Sequence, residues 1–348
     1  MKAISIMAAL AVAAAAPQLA LAQPAGGASA VPAGTPVACH GALSVRDGRI
    51  VGGHGEPVTL RGMSLFWSQW TPQYYSADTV AWLARDWKVD VVRAAIAAEG
   101  NDGARQHFDR EFAKASTVID GAVANGLYVI VDWHAHRPYP DEAERFLTAI
   151  AARYGHLPNL IYETFNEPLR DGVDWSRDVK PYHLAVVGAI RRIDPDNLVI
   201  AGSPSWSQDV DLAAADPLPF ENLAYTLHYY AGTHRQELRD KGDAALVDGA
   251  ALLITEFGTV EATGDGPLDH AESQRWWDWA EAHGIGWMAW SIGDRDETSA
   301  ALKPGTPPAG CCAASCAPRR VAIPLASRRR PAYVSANIRR EIRGTAEA

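Results

Sequence analysis

A single-domain (β/α)8 barrel, a TIM barrel with a short β-hairpin at its N-terminal edge, is the α/β fold this sequence predicts. Eight short apolar, β-branched runs recur along the chain, at 58–63, 89–96, 127–133, 159–165, 198–201, 223–228, 251–256 and 285–291. Helical stretches with apolar residues at three-to-four spacing lie between most of them. The polar and aromatic residues gather toward the C-terminal ends of the runs: Arg93, Asp132-Trp133-His134, Asn166-Glu167, His228-Tyr229-Tyr230, Glu256 and Trp290-Ser291. In a barrel those ends open on one face, where chemistry collects. Strand and helix alternating over about 250 residues fit a closed barrel better than a doubly wound sheet. No Gly-rich phosphate fingerprint follows any run, which weighs against a nucleotide.

Lys2, an apolar stretch over 4–16 and Ala20-Leu21-Ala22 before Gln23 give residues 1–22 the order of a secretion signal, cut after Ala22. The stretch is too short to span a bilayer, so a secreted or periplasmic protein without a membrane anchor is expected. Residues 23–36 are Ala, Gly and Pro with almost no charge and read as a flexible leader. The catalytic domain then runs over 37–343. Residues 43–51 and 57–60 read as the two arms of the hairpin, with Asp47-Gly48 as its turn. Helices are expected at 78–87, 108–125, 141–154, 176–193 and 271–283. A net charge of −9 gives no reason to bind nucleic acid and suits a neutral partner.

Glu167 and Glu256 end the fourth and seventh runs, which places them across the mouth of an eight-stranded barrel. A facing pair of carboxylates is what cleavage of a glycosidic bond requires, with about 5–5.5 Å between them when configuration is retained. Asn166 offers an amide to a sugar hydroxyl, and Arg93 could hold Glu256 ionised. Tyr230 can donate to Glu256, while His134 and His228 can bond sugar hydroxyls or the acid/base network. Trp67, Trp70, Tyr74, Tyr75, Trp206 and Trp290 fall near the active face, where flat rings stack on a pyranose. Asp132-x-His134-x-His136 has the look of a metal string, but the later strands supply only His228 to complete it, so neither metal nor cofactor is expected.

Eight motifs in order carry a family resemblance: Leu60-Arg61-Gly62-Met63-Ser64, Val91-Val92-Arg93-Ala94, Val131-Asp132-Trp133-His134, Asn166-Glu167-Pro168, Ser205-Trp206-Ser207-Gln208-Asp209-Val210, Thr226-Leu227-His228-Tyr229-Tyr230-Ala231-Gly232-Thr233, Thr255-Glu256-Phe257-Gly258 and Trp290-Ser291. Over residues 40–302 the chain resembles glycoside hydrolase family 5, in its bacterial endoglucanase (cellulase) branch. The resemblance implies a retaining endo-1,4-β-glucanase with Glu167 as acid/base and Glu256 as nucleophile. It implies that Arg93, His134, Asn166, His228, Tyr230 and Trp290 line the bond-cleaving subsite; Trp70 and Trp206 join the candidate substrate contacts as flat rings on the active-face loops. The implied partner is a β-1,4-glucan polysaccharide or oligosaccharide, bound by a monomer. The same machinery on mannan, xyloglucan or mixed-linkage glucan is an alternative reading, and a carbohydrate-binding protein with a weakened site is another.

The chain departs from the family pattern at several positions. Phe165 and Phe257 stand where relatives often carry Trp, Phe66 where many carry His, and Arg295 where relatives often place a Lys that grips a distal glucose. Glu297 keeps its sugar-binding place. Residues 311–330 break the resemblance altogether: they hold Cys311, Cys312 and Cys316 and turn Arg-rich, and no disulfide framework with Cys39 is evident. They read as a local reading-frame error or as a basic surface loop. Residues 332–339 again look like the family's last helix.

Overall fold

A computed structural model describes residues 31–169 and 172–308. A five-residue helix, α1 (Pro36–His40), starts with Pro at its first turn and buries Val37. The hairpin follows as β1 (Ser44–Arg46) and β2 (Arg49–Val51). Asp47 and Gly48 join its arms with φ values of 49° and 68°, the two positive dihedrals that a tight hairpin turn needs. Residues 57–60 are not its second arm. They contribute one bridge, Val51 to Pro57, because Pro57 has no N–H to extend the ladder.

The barrel strands are β3 (Arg61–Leu65), β4 (Val91–Ala97), β5 (Tyr128–His134), β6 (Leu160–Glu163), β7 (Val199–Ala201), β8 (Leu223–Thr226) with β9 (Tyr229–Tyr230), β10 (Leu252–Gly258) and β11 (Trp287–Ile292). They pair in parallel in chain order, and β11 pairs with both β10 and β3, which closes the sheet. The expected sixth run is thus split: β8 and β9 each pair with β10, and Leu227 and His228 lie between them.

Around the barrel lie α2 (Ala77–Trp82), α3 (Phe108–Ala124), α4 (Pro140–Tyr154), α5 (Lys180–Arg191), the short α6 (Pro204–Ser207) and α7 (Val210–Ala215), α8 (Gln236–Val247) and α9 (His270–His283). The Ser76 hydroxyl accepts from the Thr79 N–H to cap α2, and Asp269 caps α9 through the Glu272 N–H. Two expected helices are less regular than their periodicity implied. Residues Leu83–Trp87 and Trp175–Val179 are π-helical turns, the first prolonging α2 and the second leading into α5. No helix among the described residues is long and apolar enough to cross a membrane.

Alternation along the strands sorts the lumen into layers. Val91, Ile130, Ile161, Leu253 and Met288 form an apolar inner layer, while Val92, Val129, Val131, Tyr162 and Ile254 face the helices. One step further along the same inward phase come Arg93, Asp132 and Glu163, all buried. Arg93 and Asp132 therefore sit inside their strands, forming a charged floor beneath the mouth rather than a rim at the strand ends. The signal segment, residues 23–30 of the leader, the 311–330 segment with its three cysteines and the family-like last helix lie outside the described residues. Cys39 is exposed and forms no disulfide among the described residues.

Candidate active site

The site begins with an irregularity in β10. Against β11, Ile254 pairs with Trp287 but Phe257 pairs with Ala289, so three steps on one strand match two on the other. Strict alternation would send Thr255 and Glu256 to opposite faces; the bulge turns both toward the lumen. Thr255 reaches the floor, donating from Oγ1 to Glu163 Oε1 at 2.6 Å. Glu256 reaches the mouth, accepting from Arg93 Nη1 at 3.1 Å and from the Tyr230 hydroxyl at 2.8 Å.

Arg93 organises the floor. It donates to Glu163 through Nε at 2.7 Å and Nη2 at 3.2 Å, to Asn166 Oδ1 at 2.6 Å, and pairs with Asp132 Oδ2 at 2.9 Å. Burial works against its charge, but Asp132, Glu163 and Glu256 around it outweigh that and raise its pKa. Burial would raise Glu163, yet Arg93 brings it below the usual carboxylate value. Asp132, by contrast, is pushed well up by burial. His134 Nδ1 lies 2.6 Å from Asp132 Oδ2, and burial, with Arg93 nearby, holds that ring well below its ordinary pKa. His134 also stacks on Trp290, at 5.4 Å and 4°.

Glu167 sits on the loop after β6, hung from the preceding strand's loop by its own N–H to Ala135 O at 3.1 Å. Both of its oxygens are held by imidazoles: Oε1 by His228 Nδ1 at 2.9 Å and Oε2 by His136 Nε2 at 3.2 Å. Burial alone would raise its pKa, but these two hydrogen bonds bring it down to about 2. Seen from the other side, burial opposes charge on His228 while Glu163 and Glu167 raise it to about 9. Glu256 moves up, through burial first and the charge of Glu167 second, against the pull of His228, Arg93 and Tyr230. Facing oxygens of Glu167 and Glu256 come within 4.8 Å of each other.

His228 lies within the same 4.8 Å grouping, which is close enough to bracket a cation. Its Nδ1 is engaged by Glu167 and its Nε2 by Thr255 Oγ1 at 2.8 Å, so no imidazole lone pair faces that point. The Asp132, His134 and His136 string does not converge either, since His134 turns to Asp132 and His136 to Glu167.

Asn166 keeps its carbonyl on Arg93 and leaves Nδ2 buried without a partner among the described residues, a donor still unused. The surrounding aromatics divide by exposure. Trp70 is 54% exposed and Trp206 39%, whereas Tyr74 and Tyr75 are buried. Those two tyrosines are therefore not sugar platforms: Tyr75 donates to Phe66 O and Ala95 O, and Tyr74 to Thr306 O. Trp206 is presented by a turn in which Ser205, Trp206 and Ser207 all have φ near 57–58°. Ser207 ties that turn to the site, donating to Asn166 O at 2.6 Å while its own carbonyl accepts from His228 N–H. Arg295 lies over Phe66 and Trp70, 5.4 and 5.8 Å from their centroids, with Nε 3.7 Å from Glu297 Oε2.

Two residues of the site are not singled out by the sequence pattern. Glu163 is the inward-phase acid of an otherwise apolar run, and its alternation with Ile161 was the available signal. His136 enters the sequence pattern only as part of the metal-like string, although its i+2 spacing from His134 puts it on the same side of the loop.

A closed (β/α)8 barrel with two carboxylates facing each other across its C-terminal mouth is the arrangement of the barrel glycoside hydrolases. This chain belongs to glycosyl hydrolase family 5: the family's Cellulase profile matches residues 51–296. It is 44% identical over 267 residues to Endoglucanase Z of Dickeya dadantii (strain 3937), covering 75% of this chain and 62% of that protein. Endoglucanase N of Pectobacterium atrosepticum is 42% identical over 283 residues, 79% of this chain and 63% of the relative. The chain thus spans less than two thirds of the length of these curated relatives. Among solved structures, one from Cytophaga hutchinsonii superposes with a TM-score of 0.79 at 44% identity, covering 81% of this chain and 92% of that one. A variant catalytic domain of the Thermobifida fusca endoglucanase Cel5A, in complex with cellotetraose, gives 0.76 at 34% identity, covering 82% and 96%.

Proposed function

We propose that the protein is a retaining endo-1,4-β-glucanase. The observation that carries this is the Glu167–Glu256 pair, whose facing oxygens lie within the 4.8 Å grouping, each acid held by a different kind of partner. A short separation leaves no room for a water between Glu256 and the sugar, which favours attack by that carboxylate over direct hydrolysis.

Glu256 is the nucleophile: Arg93 and Tyr230 both donate to its carboxylate and fix it in the mouth. Glu167 is the acid, then the base. In the resting site the histidines favour its carboxylate, which is the form needed in the second half-reaction, not the first. The proton for the first half-reaction is held one hydrogen bond away, on His228, and crosses 2.9 Å to Oε1. Once Glu167 is protonated, the charge that pushes Glu256 up is gone, so protonating one acid favours ionising the other. Asn166 Nδ2 is the donor for the sugar 2-hydroxyl, and Trp70, Trp206, Trp290, Arg295 and Glu297 line the cleft around the scissile bond.

The substrate is a β-1,4-glucan, a reading supported by the cellotetraose bound to the Thermobifida fusca relative. Hydrolysis of carboxymethylcellulose, mannan and xyloglucan by purified protein tests it, with Glu256→Gln alongside. Internal cleavage of the first substrate alone is expected; preference for either of the others moves the assignment to another β-glycan, and inertness on all three returns it to a binding protein. We also propose that the chain is exported through residues 1–22 and acts as a monomer. An exported protein starting at Gln23 and sedimenting as one chain is the expected result.

A further inference from the structure

The geometry points to His136 as a positioning residue: its ring holds Glu167 Oε2 and favours the carboxylate form in which Glu167 activates water in the second half-reaction. This rests on the retaining reading above.

The placement of His136 is built from three sides. Glu99, on the loop after β4, accepts through one oxygen from the backbone N–H of His136 at 2.7 Å and of Arg137 at 2.8 Å. Ala135, one residue earlier, accepts from the backbone of Glu167 itself, so ring and target ride on one tied unit. The Trp67 ring lies 5.3 Å from the imidazole, tilted by 43°, and closes the third side. The carboxylate is thereby pinned at both oxygens, by His228 from the sixth strand and by His136 from the third. Two donors on one carboxylate fix its plane as well as its position.

The charges facing this pair come from every neighbouring element. Arg93 and Glu99 belong to the second strand and its loop, His134 to the third, Glu163 to the fourth, His228, Tyr230 and His234 to the sixth, and Glu256 to the seventh. For His136 the balance favours the charged ring: burial opposes it, but the hydrogen bond to Glu167 and the charges of Glu167, Glu99 and Glu256 raise its pKa. An imidazolium at Oε2 suits a base and hinders an acid.

The test uses dinitrophenyl β-cellobioside, whose leaving group departs without a proton, so breakdown of the glycosyl-enzyme limits kcat. A burst of dinitrophenolate from the wild type comes first; without it the retaining reading and this inference fall together. With it, His136→Ala is expected to move the acid limb of kcat to higher pH by about one unit, the size of one lost charge-assisted hydrogen bond. His136→Gln keeps an N–H donor without the charge and should give a smaller shift in the same direction; it also serves if the alanine variant does not fold. A burst with the acid limb unmoved in the folded variants, whatever the loss in rate, overturns the role of His136 and leaves the retaining reading standing.

Discussion

The two acids of this site are held by opposite means. Glu256 stands inside the lumen, on a strand bulge, and its principal cation is Arg93, which no accessible pH discharges. Glu167 stands on a loop, and its partners are His228 and His136, which titrate. One carboxylate is given a permanent charge environment and the other an adjustable one. A nucleophile, the role proposed for Glu256, has one ionisation state to keep, whereas the acid/base role proposed for Glu167 requires a change of state twice per turnover; the difference in partners suits that proposed division of labour.

The most severe break of this comparison is Glu256→Gln, which leaves the barrel floor neutralised but removes the attacking oxygen. Activity on soluble glucan is expected to fall by roughly 10⁴-fold or more, with stability little changed. Glu167→Gln should cost about 10²–10⁴-fold on glucan and leave the initial burst of dinitrophenolate far less affected, because that leaving group needs no proton, while steady turnover falls with the loss of the base. A burst rate reduced as far as turnover on glucan would erase the distinction between the two acids. Arg93→Met attacks the fixed side through stability instead: it strands Asp132 and Glu163 without their cation, and equilibrium unfolding should register a loss of about 3–5 kcal/mol.

The adjustable side makes a prediction about pH. Folding lifts His228 from an ordinary 6.5 to about 9, so its contribution to stability is complete below pH 6.5 and disappears as pH rises toward 9. Glu167, held at about 2, contributes in the opposite sense: fully above its ordinary 4.5 and progressively less as pH falls toward 2. The attraction between the two is one interaction, counted once. Urea unfolding of the wild type at pH 6.5 and at pH 9.5 should differ by about 3 kcal/mol from this source. In His228→Asn that difference should largely vanish; an equal loss in both proteins would place the titration elsewhere.

How much of this was legible in the residues follows from local and non-local causes. All eight strands were readable because each is a short apolar run bounded by breakers, and the inward phase can be counted once the barrel is assumed. Glu167 and Glu256 stood out because motif and strand position coincide. The bulge did not, since it arises from a register between β10 and β11 that neither strand carries alone. The burial of Tyr74 and Tyr75 depends on backbone acceptors at Phe66, Ala95 and Thr306, brought together only by closure of the barrel. The partnership of His136 with Glu167 is of the same kind, a contact between two loops whose meeting is decided by the strands beneath them. The sixth strand reads as continuous because Leu227 and His228 keep its apolar-polar rhythm; Leu227 N–H still donates to Leu253 O on β10, and it is the His228 N–H that turns away, to Ser207 O.

The smallest expected effect lies farthest from the floor, at Arg295. Its guanidinium is about half exposed and lies over Phe66 and Trp70, with Glu297 alongside. A planar cation can cover two rings and still offer N–H donors to a sugar stacked on Trp70, whereas an ammonium offers a point charge. Exposed ion pairs and exposed cation–π contacts are each worth about 1 kcal/mol or less. Arg295→Lys should therefore raise KM for long oligosaccharides by about two- to fivefold. It should leave kcat and the pH profile untouched, and short substrates that do not reach Trp70 should not notice the change. A fall in kcat, or a shift in either pH limb, would mean that the distal platform communicates with the acids, and the division between a fixed and an adjustable half would then have to include a third, substrate-driven part.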